Sequence, residues 1–162
     1  MTLHPTFNPE TDLKLERVVD VPVALVWRCW TEPALMLKWF TPAPFKTFSV
    51  DTNLVPGGYS NVVMESPDGD RFPNEGCYLV VEPERRLVFT DALRGDFRPA
   101  PKSDDIQMTA HIIMEPVGER QTRYTAYALH NSAEHRTQHE AMGFHDGWGA
   151  ALDQLVALCK TL

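Results

Sequence analysis

The chain has 162 residues, of which 43% are hydrophobic and 23% are charged, a composition typical of a soluble globular domain. Its net charge is −7, from 15 Lys and Arg against 22 Asp and Glu, which argues against nucleic-acid binding because such proteins need a basic face. No apolar run reaches the roughly 18 residues of a membrane span, and the N-terminus lacks the basic and apolar regions of a signal peptide.

The predicted elements begin with a polar lead-in at residues 1–11, which we expect to be loose, and residues 12–162 are predicted to form a single domain. Alternating apolar residues predict a first strand over 13–19. Two short helices are predicted next, over 23–30 and 33–40. A proline precedes the first helix and another begins the second, and the first turn tolerates proline because its missing N–H has no partner there.

Six further strands are predicted from apolar and β-branched runs that are separated by turn signals. They cover residues 45–54, 59–65, 72–81, 86–92, 106–115 and 122–129. The segment 95–104 is rich in proline and mixed in charge, and it is predicted to be a loop. This meander of strands needs a cover on one face, and only the C-terminal segment is long enough to supply it.

One long C-terminal helix is predicted over 132–162, with Ser132 as its N-cap. Four large or apolar residues share one of its faces at helical spacing: Phe144, Trp148, Leu152 and Leu155. Gly147 and Gly149 interrupt the pattern, and each weakens a helix by about 1 kcal/mol relative to alanine. Close approach of a sheet, or room for a bound molecule, would explain them. The order of elements predicts an α+β fold.

Short motifs with a characteristic order and spacing run through the chain. They are Val21-Pro22-Val23-Ala24-Leu25-Val26-Trp27, Thr31-Glu32-Pro33, Lys38-Trp39-Phe40, Val55-Pro56-Gly57-Gly58, Ser66-Pro67-Asp68-Gly69, Gly76, the run from Pro83 to Thr90, Gly147-Trp148, and Leu152 with Leu155. Together, over about 13–158, they resemble the heat shock protein 90 ATPase activator-like proteins of the START/birch-pollen-allergen superfamily, also called SRPBCC or polyketide cyclase-like. The resemblance implies a helix-grip fold, in which a curved antiparallel sheet wraps around a long C-terminal helix and leaves a cavity.

The resemblance does not imply one chemistry, because the superfamily includes lipid carriers, cyclases, hydrolases and chaperone regulators. We expect a non-catalytic domain that binds a small apolar or aromatic molecule in the cavity. Two alternatives stay open. One is an enzyme of the cyclase or hydrolase kind, with His145 or Tyr124 as acid and base. The other is a stress-related domain that binds a protein partner.

The candidate ligand-binding residues are mainly methionines and aromatics that should face the cavity, since such side chains suit an apolar ligand. They are Trp39, Phe40, Met64, Phe89, Met108, Met114, Tyr124, Phe144, His145 and Trp148. Simple packing is the alternative for each of them. His145 is predicted at the edge of the buried helix face, where it either points a nitrogen into the cavity or bonds to backbone or water.

Three other histidines are predicted to lie outside the site. His135 and His139 have the spacing of helical zinc ligands, but a third ligand is missing. A helical projection centred on Trp148 places both toward solvent. In the strand 106–115, the register that turns Met108 and its alternate neighbours inward leaves His111 outside. We therefore predict no metal and no cofactor.

The number and spacing of the cysteines indicate the cellular compartment. Cys29, Cys77 and Cys159 are odd in number and form no CxxC motif, which predicts reduced, buried thiols in a cytoplasmic protein. The chain also lacks a nucleophile elbow and a phosphate-binding loop. A monomer or homodimer is expected, because exposed sheet edges offer unpaired backbone groups.

Overall fold

The computed structural model describes residues 2–162, and its main feature is a seven-stranded antiparallel sheet. The strands of the chain are β1 (Asp12–Val19), β2 (Lys46–Thr52), β3 (Tyr59–Glu65), β4 (Arg71–Glu82), β5 (Arg86–Thr90), β6 (Leu93–Arg94), β7 (Arg98–Pro99), β8 (Met108–Val117) and β9 (Gln121–His130). The main sheet has the order β1-β9-β8-β5-β4-β3-β2, while β6 and β7 form a separate small hairpin. The first strand of the chain therefore lies beside the last, and β2 forms the opposite edge.

Four helices accompany the sheet. They are α1 (Val23–Thr31), α2 (Pro33–Trp39), α3 (Ala133–Ala141) and α4 (Phe144–Cys159). Within the described chain, no helix is long and apolar enough to cross a membrane. The α+β class, the seven main strands and the two short helices match the sequence predictions. The β6–β7 hairpin, which begins just before the predicted loop 95–104 and ends within it, was missed, because strands of two residues show no alternation that a pattern could reveal.

The predicted single helix over 132–162 is wrong, because the chain breaks between α3 and α4. Gly143 has a φ of 96°, a left-handed conformation that suits glycine and ends helices. Its N–H donates to the carbonyl of Glu140 at 3.0 Å, which closes the last turn of α3. The predicted cap at Ser132 is confirmed, since its hydroxyl accepts a hydrogen bond from the N–H of His135 at 3.1 Å.

The hydrophobic core lies between the inner face of the sheet and the helices α1, α2 and α4. Ile112 of β8, Val26 of α1 and Leu155 of α4 are all fully buried within it. At one end of the core, the Sγ atoms of Cys29 and Cys159 lie 3.5 Å apart as free thiols. Burial of the large aliphatic side chains holds α4 against the sheet, since each stabilises the folded state by roughly 1.5–3 kcal/mol relative to an exposed side chain.

The outer face of the sheet is covered in part by the lead-in, which was predicted to be loose. The two ring nitrogens of His4 lie 2.9 Å from the hydroxyl of Tyr127 and 3.0 Å from a carboxylate oxygen of Glu115. The ring of Phe7 packs edge-on against Tyr127. His111 faces this outer side, as predicted, and stands edge-on to the same Tyr127 ring. The candidate site lies on the opposite, inner face of the sheet.

Candidate ligand-binding cavity

A cavity of about 290 Å³ lies between the inner face of the sheet and the two C-terminal helices. Aromatic and aliphatic side chains form most of its wall. The lining residues are Trp30, Trp39, Phe40, Pro42, Met64, Phe89, Met108, Tyr124, His139, Met142, Gly143, Phe144, Gly147, Trp148, Ala151 and Leu152. Because so few polar groups line it, the cavity suits an apolar molecule.

One wall of the cavity is an aromatic cluster built from α1, α2 and β5. The ring of Trp30 packs edge-on against Trp39 at 4.9 Å and tilted against Phe89 at 5.8 Å. Both indole N–H groups have internal partners: Trp30 donates to the hydroxyl of Tyr124 at 3.1 Å, and Trp39 donates to the carbonyl of Cys29 at 2.8 Å. The rings are therefore fixed by hydrogen bonds and contribute apolar surface to the cavity.

Tyr124 contributes a hydroxyl group to the cavity wall. Its side chain is buried, and burial raises the pKa of its hydroxyl above the ordinary value. The oxygen accepts the N–H of Trp30, and no group among residues 2–162 accepts its proton. The hydroxyl can therefore donate a hydrogen bond to a bound molecule, but the raised pKa makes it a poor base at neutral pH.

The opposite wall is formed where α3 meets α4. Phe144 and Trp148 pack one turn apart, with ring centroids 4.7 Å from each other. His139 stands edge-on to both rings, at 5.4 Å from Phe144 and 6.1 Å from Trp148. The break at Gly143 brings these three rings together, because it turns α3 back over the start of α4.

His139 is a lining residue that the sequence analysis placed in solvent, and that prediction is wrong. Its Nδ1 lies 2.9 Å from Nε2 of His130, whose own Nδ1 lies 2.8 Å from the carbonyl of Thr11. Burial, and to a lesser degree the charge of His130, lower the pKa of His139 to about 4. The projection failed because it carried one helical register through Gly143. His135, placed toward solvent with it, is half-buried.

Most of the other predicted site residues lie at the cavity, although nothing yet tests whether they contact a ligand. Eight of them line it: Trp39, Phe40, Met64, Phe89, Met108, Tyr124, Phe144 and Trp148. Met114 faces inward but is packed in the core, away from the lining. His145 also lies outside the lining: its side chain is 54% exposed, with Nε2 3.1 Å from Glu140 Oε2. It sits one residue beyond Phe144, about 100° further round α4, where it meets α3 instead of the sheet.

Trp30 is the main lining residue that the sequence analysis missed. It lies in α1 beside the buried Val26 and Cys29. Their spacing of three and four residues marks the inner face of that helix, so the signal was present. The small lining residues Gly147 and Ala151 show no comparable signal, since only the fold reveals the space beside them.

A smaller chamber of about 110 Å³ adjoins the cavity between β3, β4 and β5, and we call it the side chamber. It shares four lining residues with the cavity: Phe40, Met64, Phe89 and Met108. The side chamber also has Ser60, Asn74 and Asp91 in its wall. Asp91 accepts the backbone N–H of Met108 at 2.9 Å, and burial raises the pKa of its carboxyl above the ordinary value. The walls of the combined space are thus mostly apolar, and a few polar side chains lie at one end.

The described residues offer few combinations of side chains that could bind a metal ion. Among residues 2–162, no cluster of three or more His, Cys, Asp or Glu side chains could hold a metal ion. In the pair His135 and His139, which has the spacing of helical zinc ligands, the Nδ1 atom of His139 is already hydrogen-bonded to His130. The absence of a metal in the protein stays a prediction, to be checked by elemental analysis of the purified protein.

The lowered pKa of His139 predicts a dependence of stability on pH. An unfolded histidine titrates near 6.5, whereas folded His139 titrates at about 4. Between these values the unfolded chain binds more protons, so the free energy of unfolding should fall as the pH falls through this window. Urea unfolding of wild type and of His139→Phe across this range should show the smaller acid loss in the variant. Parallel curves would contradict the burial of His139 in its neutral form.

The fold and the cavity together define the class of this protein. An antiparallel sheet that wraps around a C-terminal helix over an apolar cavity is a START-like, helix-grip domain. Within that class, the chain belongs to the family described as Activator of Hsp90 ATPase homolog 1-like protein, whose profile matches residues 20–160.

Solved structures agree with this assignment. A protein from Nitrosomonas europaea is 46% identical, with a TM-score of 0.90 over 96% of this chain and 97% of its own. A protein from Mycobacterium smegmatis is 26% identical, with a TM-score of 0.76 over 92% and 90%. One from Arthrobacter aurescens, 22% identical with a TM-score of 0.81 over 99% and 94%, shows the fold alone. A comparison with curated proteins finds no match.

Proposed function

We propose that this protein binds a small apolar or aromatic molecule in the cavity between the sheet and α4, without turning it over. One observation carries the proposal: a space of about 290 Å³ is lined almost throughout by aromatic, methionine and aliphatic side chains. A well-packed core leaves few voids larger than a water molecule. Apolar cavities of roughly half this size stay dry and bind aromatic molecules.

The size and shape of the space suggest the class of ligand. Its volume is at the lower end of the roughly 300–1,000 Å³ that is usual for ligand pockets. One or two fused rings, or a short branched chain, would fill it. The walls contributed by Trp30, Trp39 and Trp148 offer ring surfaces on two sides, which favours a flat aromatic molecule.

A binding role is better supported than a catalytic one. Of the two acid–base candidates, His145 points to Glu140 on the surface, and Tyr124 has a raised pKa. Catalysis of the cyclase or hydrolase kind would need a group with a pKa near the working pH. The three free thiols fit a reducing compartment, so we place this binding protein in the cytoplasm.

A protein-binding role is the second candidate, and an exposed aromatic surface favours it. This surface consists of Phe45, Phe48 and Phe72, which are each more than 40% exposed. Phe45 stacks on Phe72, and the guanidinium of Arg71 lies 3.6 Å over the Phe48 ring. Exposed aromatics next to a sheet edge are suited to contact with a partner. A role in the stress response, as the family name suggests, would use this surface.

A thermal-shift screen with aromatic and lipid-like compounds tests the first candidate. A ligand that binds only the folded state raises the unfolding temperature. Because three of the four tryptophans line the cavity, binding should also change the intrinsic fluorescence. Turnover assays on any compound that binds then separate a carrier from an enzyme. A screen without a single binder would favour the protein-binding role.

Two glycines of α4 offer a matched pair of variants. An added Cβ at Gly147 or Gly149 meets no atom within 4 Å, and only Gly147 lines the cavity. Leucine in place of either glycine should stabilise the helix by about 0.8–1 kcal/mol. Gly147→Leu should also occupy part of the cavity and weaken the thermal shift that a ligand causes, whereas Gly149→Leu should keep it.

The result is read from unfolding temperatures with and without the ligand. An equal ligand-induced shift in both variants would place the ligand elsewhere. Close approach of a sheet was one of the two reasons expected for these glycines. It does not occur, since the space beside both of them is open.

A further inference from the structure

The two histidines at the helix end of the cavity form a hydrogen-bonded relay that ends at the backbone. The relay runs from the Thr11 carbonyl to His130 Nδ1 at 2.8 Å, and from His130 Nε2 to His139 Nδ1 at 2.9 Å. His130 belongs to β9 and is 8% exposed, so it sits inside the fold. The outer member, His139, lines the cavity.

The partners in the relay assign the tautomers. A carbonyl oxygen only accepts, so His130 must carry its proton on Nδ1. In neutral His130, Nε2 is then an acceptor, and His139 must donate to it from Nδ1. The remaining nitrogen of a neutral His139, Nε2, is therefore an acceptor. No polar group among residues 2–162 forms a hydrogen bond with this Nε2 atom. Nor is it one of the fully buried side-chain atoms without a partner among these residues, so it keeps some accessible surface.

We propose that His139 is the hydrogen-bond acceptor of the cavity, and that the ligand is an aromatic or apolar molecule with one hydroxyl or N–H group that donates to His139 Nε2. This inference rests on the proposed binding function and narrows its ligand class. A pure hydrocarbon would leave the acceptor unpaired, and a carboxylate would place its negative charge against a lone pair. A phenol or an indole has both required parts.

The acceptor persists at neutral pH because His139 stays uncharged. The titratable groups near the pair are His130 from β9, Asp91 after β5, whose pKa the charge of His130 acts to lower, and Glu140 and His135 on α3 itself. Burial and His130 lower the pKa of His139 to about 4. If the pair takes up one proton on His130 Nε2, His139 must accept on Nδ1 and carry its own proton on Nε2. Nε2 of His139 then becomes a donor.

The first test needs no ligand. Long-range proton–nitrogen correlation spectra of the full chain report the tautomer of each histidine. Above pH 7 we expect both His130 and His139 to carry the proton on Nδ1. A His139 that carries it on Nε2 would overturn the inference, whether or not a ligand binds.

The second test compares 2-naphthol with 2-methoxynaphthalene, which share the ring system but differ in the donor proton. Wild type should bind 2-naphthol about threefold to tenfold more tightly, as one net hydrogen bond implies. His139→Phe should bind both equally. His145→Phe, which changes an exposed histidine outside the cavity, should keep the wild-type preference.

The outcomes separate this inference from the proposed function. If wild type binds both compounds equally, or if His139→Phe keeps the preference, the acceptor role is overturned while binding in the cavity stands. If wild type binds neither compound, the proposed function fails and this inference fails with it.

Discussion

Replacement of Trp30 by alanine should lower the free energy of unfolding by about 3–5 kcal/mol, as the loss of a buried aromatic side chain usually does. Trp30 is 5% exposed and contacts three aromatic rings: Trp39, Phe40 and Phe89. The variant would also remove the N–H that the Tyr124 hydroxyl accepts. Urea unfolding followed by far-UV circular dichroism would measure the loss.

The matched control is Trp30→Phe, which keeps a ring in the cluster and removes only the hydrogen bond and part of the area. The loss should then be nearer to the 1–3 kcal/mol of an unpaired buried polar group. If alanine costs no more than phenylalanine, the aromatic cluster is not a source of stability, and the cavity wall must be held by other contacts.

Replacement of Gly58 by alanine should cost more than about 3 kcal/mol, because overpacking against a rigid backbone is at the severe end of such changes. A Cβ at Gly58 would lie 1.9 Å from the carbonyl oxygen of Asn53 and 2.9 Å from that of Val55. Gly58 also accepts the N–H of Tyr78 at 2.9 Å, so the turn cannot move without breaking the link to β4.

Gly149→Ala is the control for this experiment, since its added Cβ meets nothing within 4 Å. It should stabilise the protein by up to about 1 kcal/mol. Comparison of urea midpoints at equal slope would give both values. A Gly58→Ala variant as stable as wild type would show that the turn between β2 and β3 relaxes in a way the structure does not suggest.

The strands and the first two helices could be predicted because their signals are local. Proline at the start of α2 and turn residues between strands mark boundaries without reference to the rest of the chain. The break in the last helix is different, because glycine is common within helical patterns as well as at their ends. Gly143, Gly147 and Gly149 look alike in sequence, and only Gly143 has a positive φ.

The candidate site could be predicted only in part, for a related reason. Periodicity placed Phe144 and Trp148 on the buried face of the last helix, and the family resemblance implied the cavity beside that face. His139 was misplaced because its position depends on the turn at Gly143 and on His130. That histidine is in turn fixed by Thr11, 119 residues away. No local sequence pattern reports a contact over such a separation, so the relay and the side chamber can be seen only in the folded structure.

The interruption at Gly143 separates two parts of the chain that differ in how firmly they are anchored. Helix α3 contains no fully buried residue, and His139 is among its half-buried ones, whereas α4 buries Phe144, Leu152, Leu155 and others in the core. Local opening of α3 therefore requires far less free energy than global unfolding. For the proposed ligand, we therefore expect substitutions in α3 to change mainly the rates of entry and release, and substitutions in the core face of α4 to change mainly the stability of the domain.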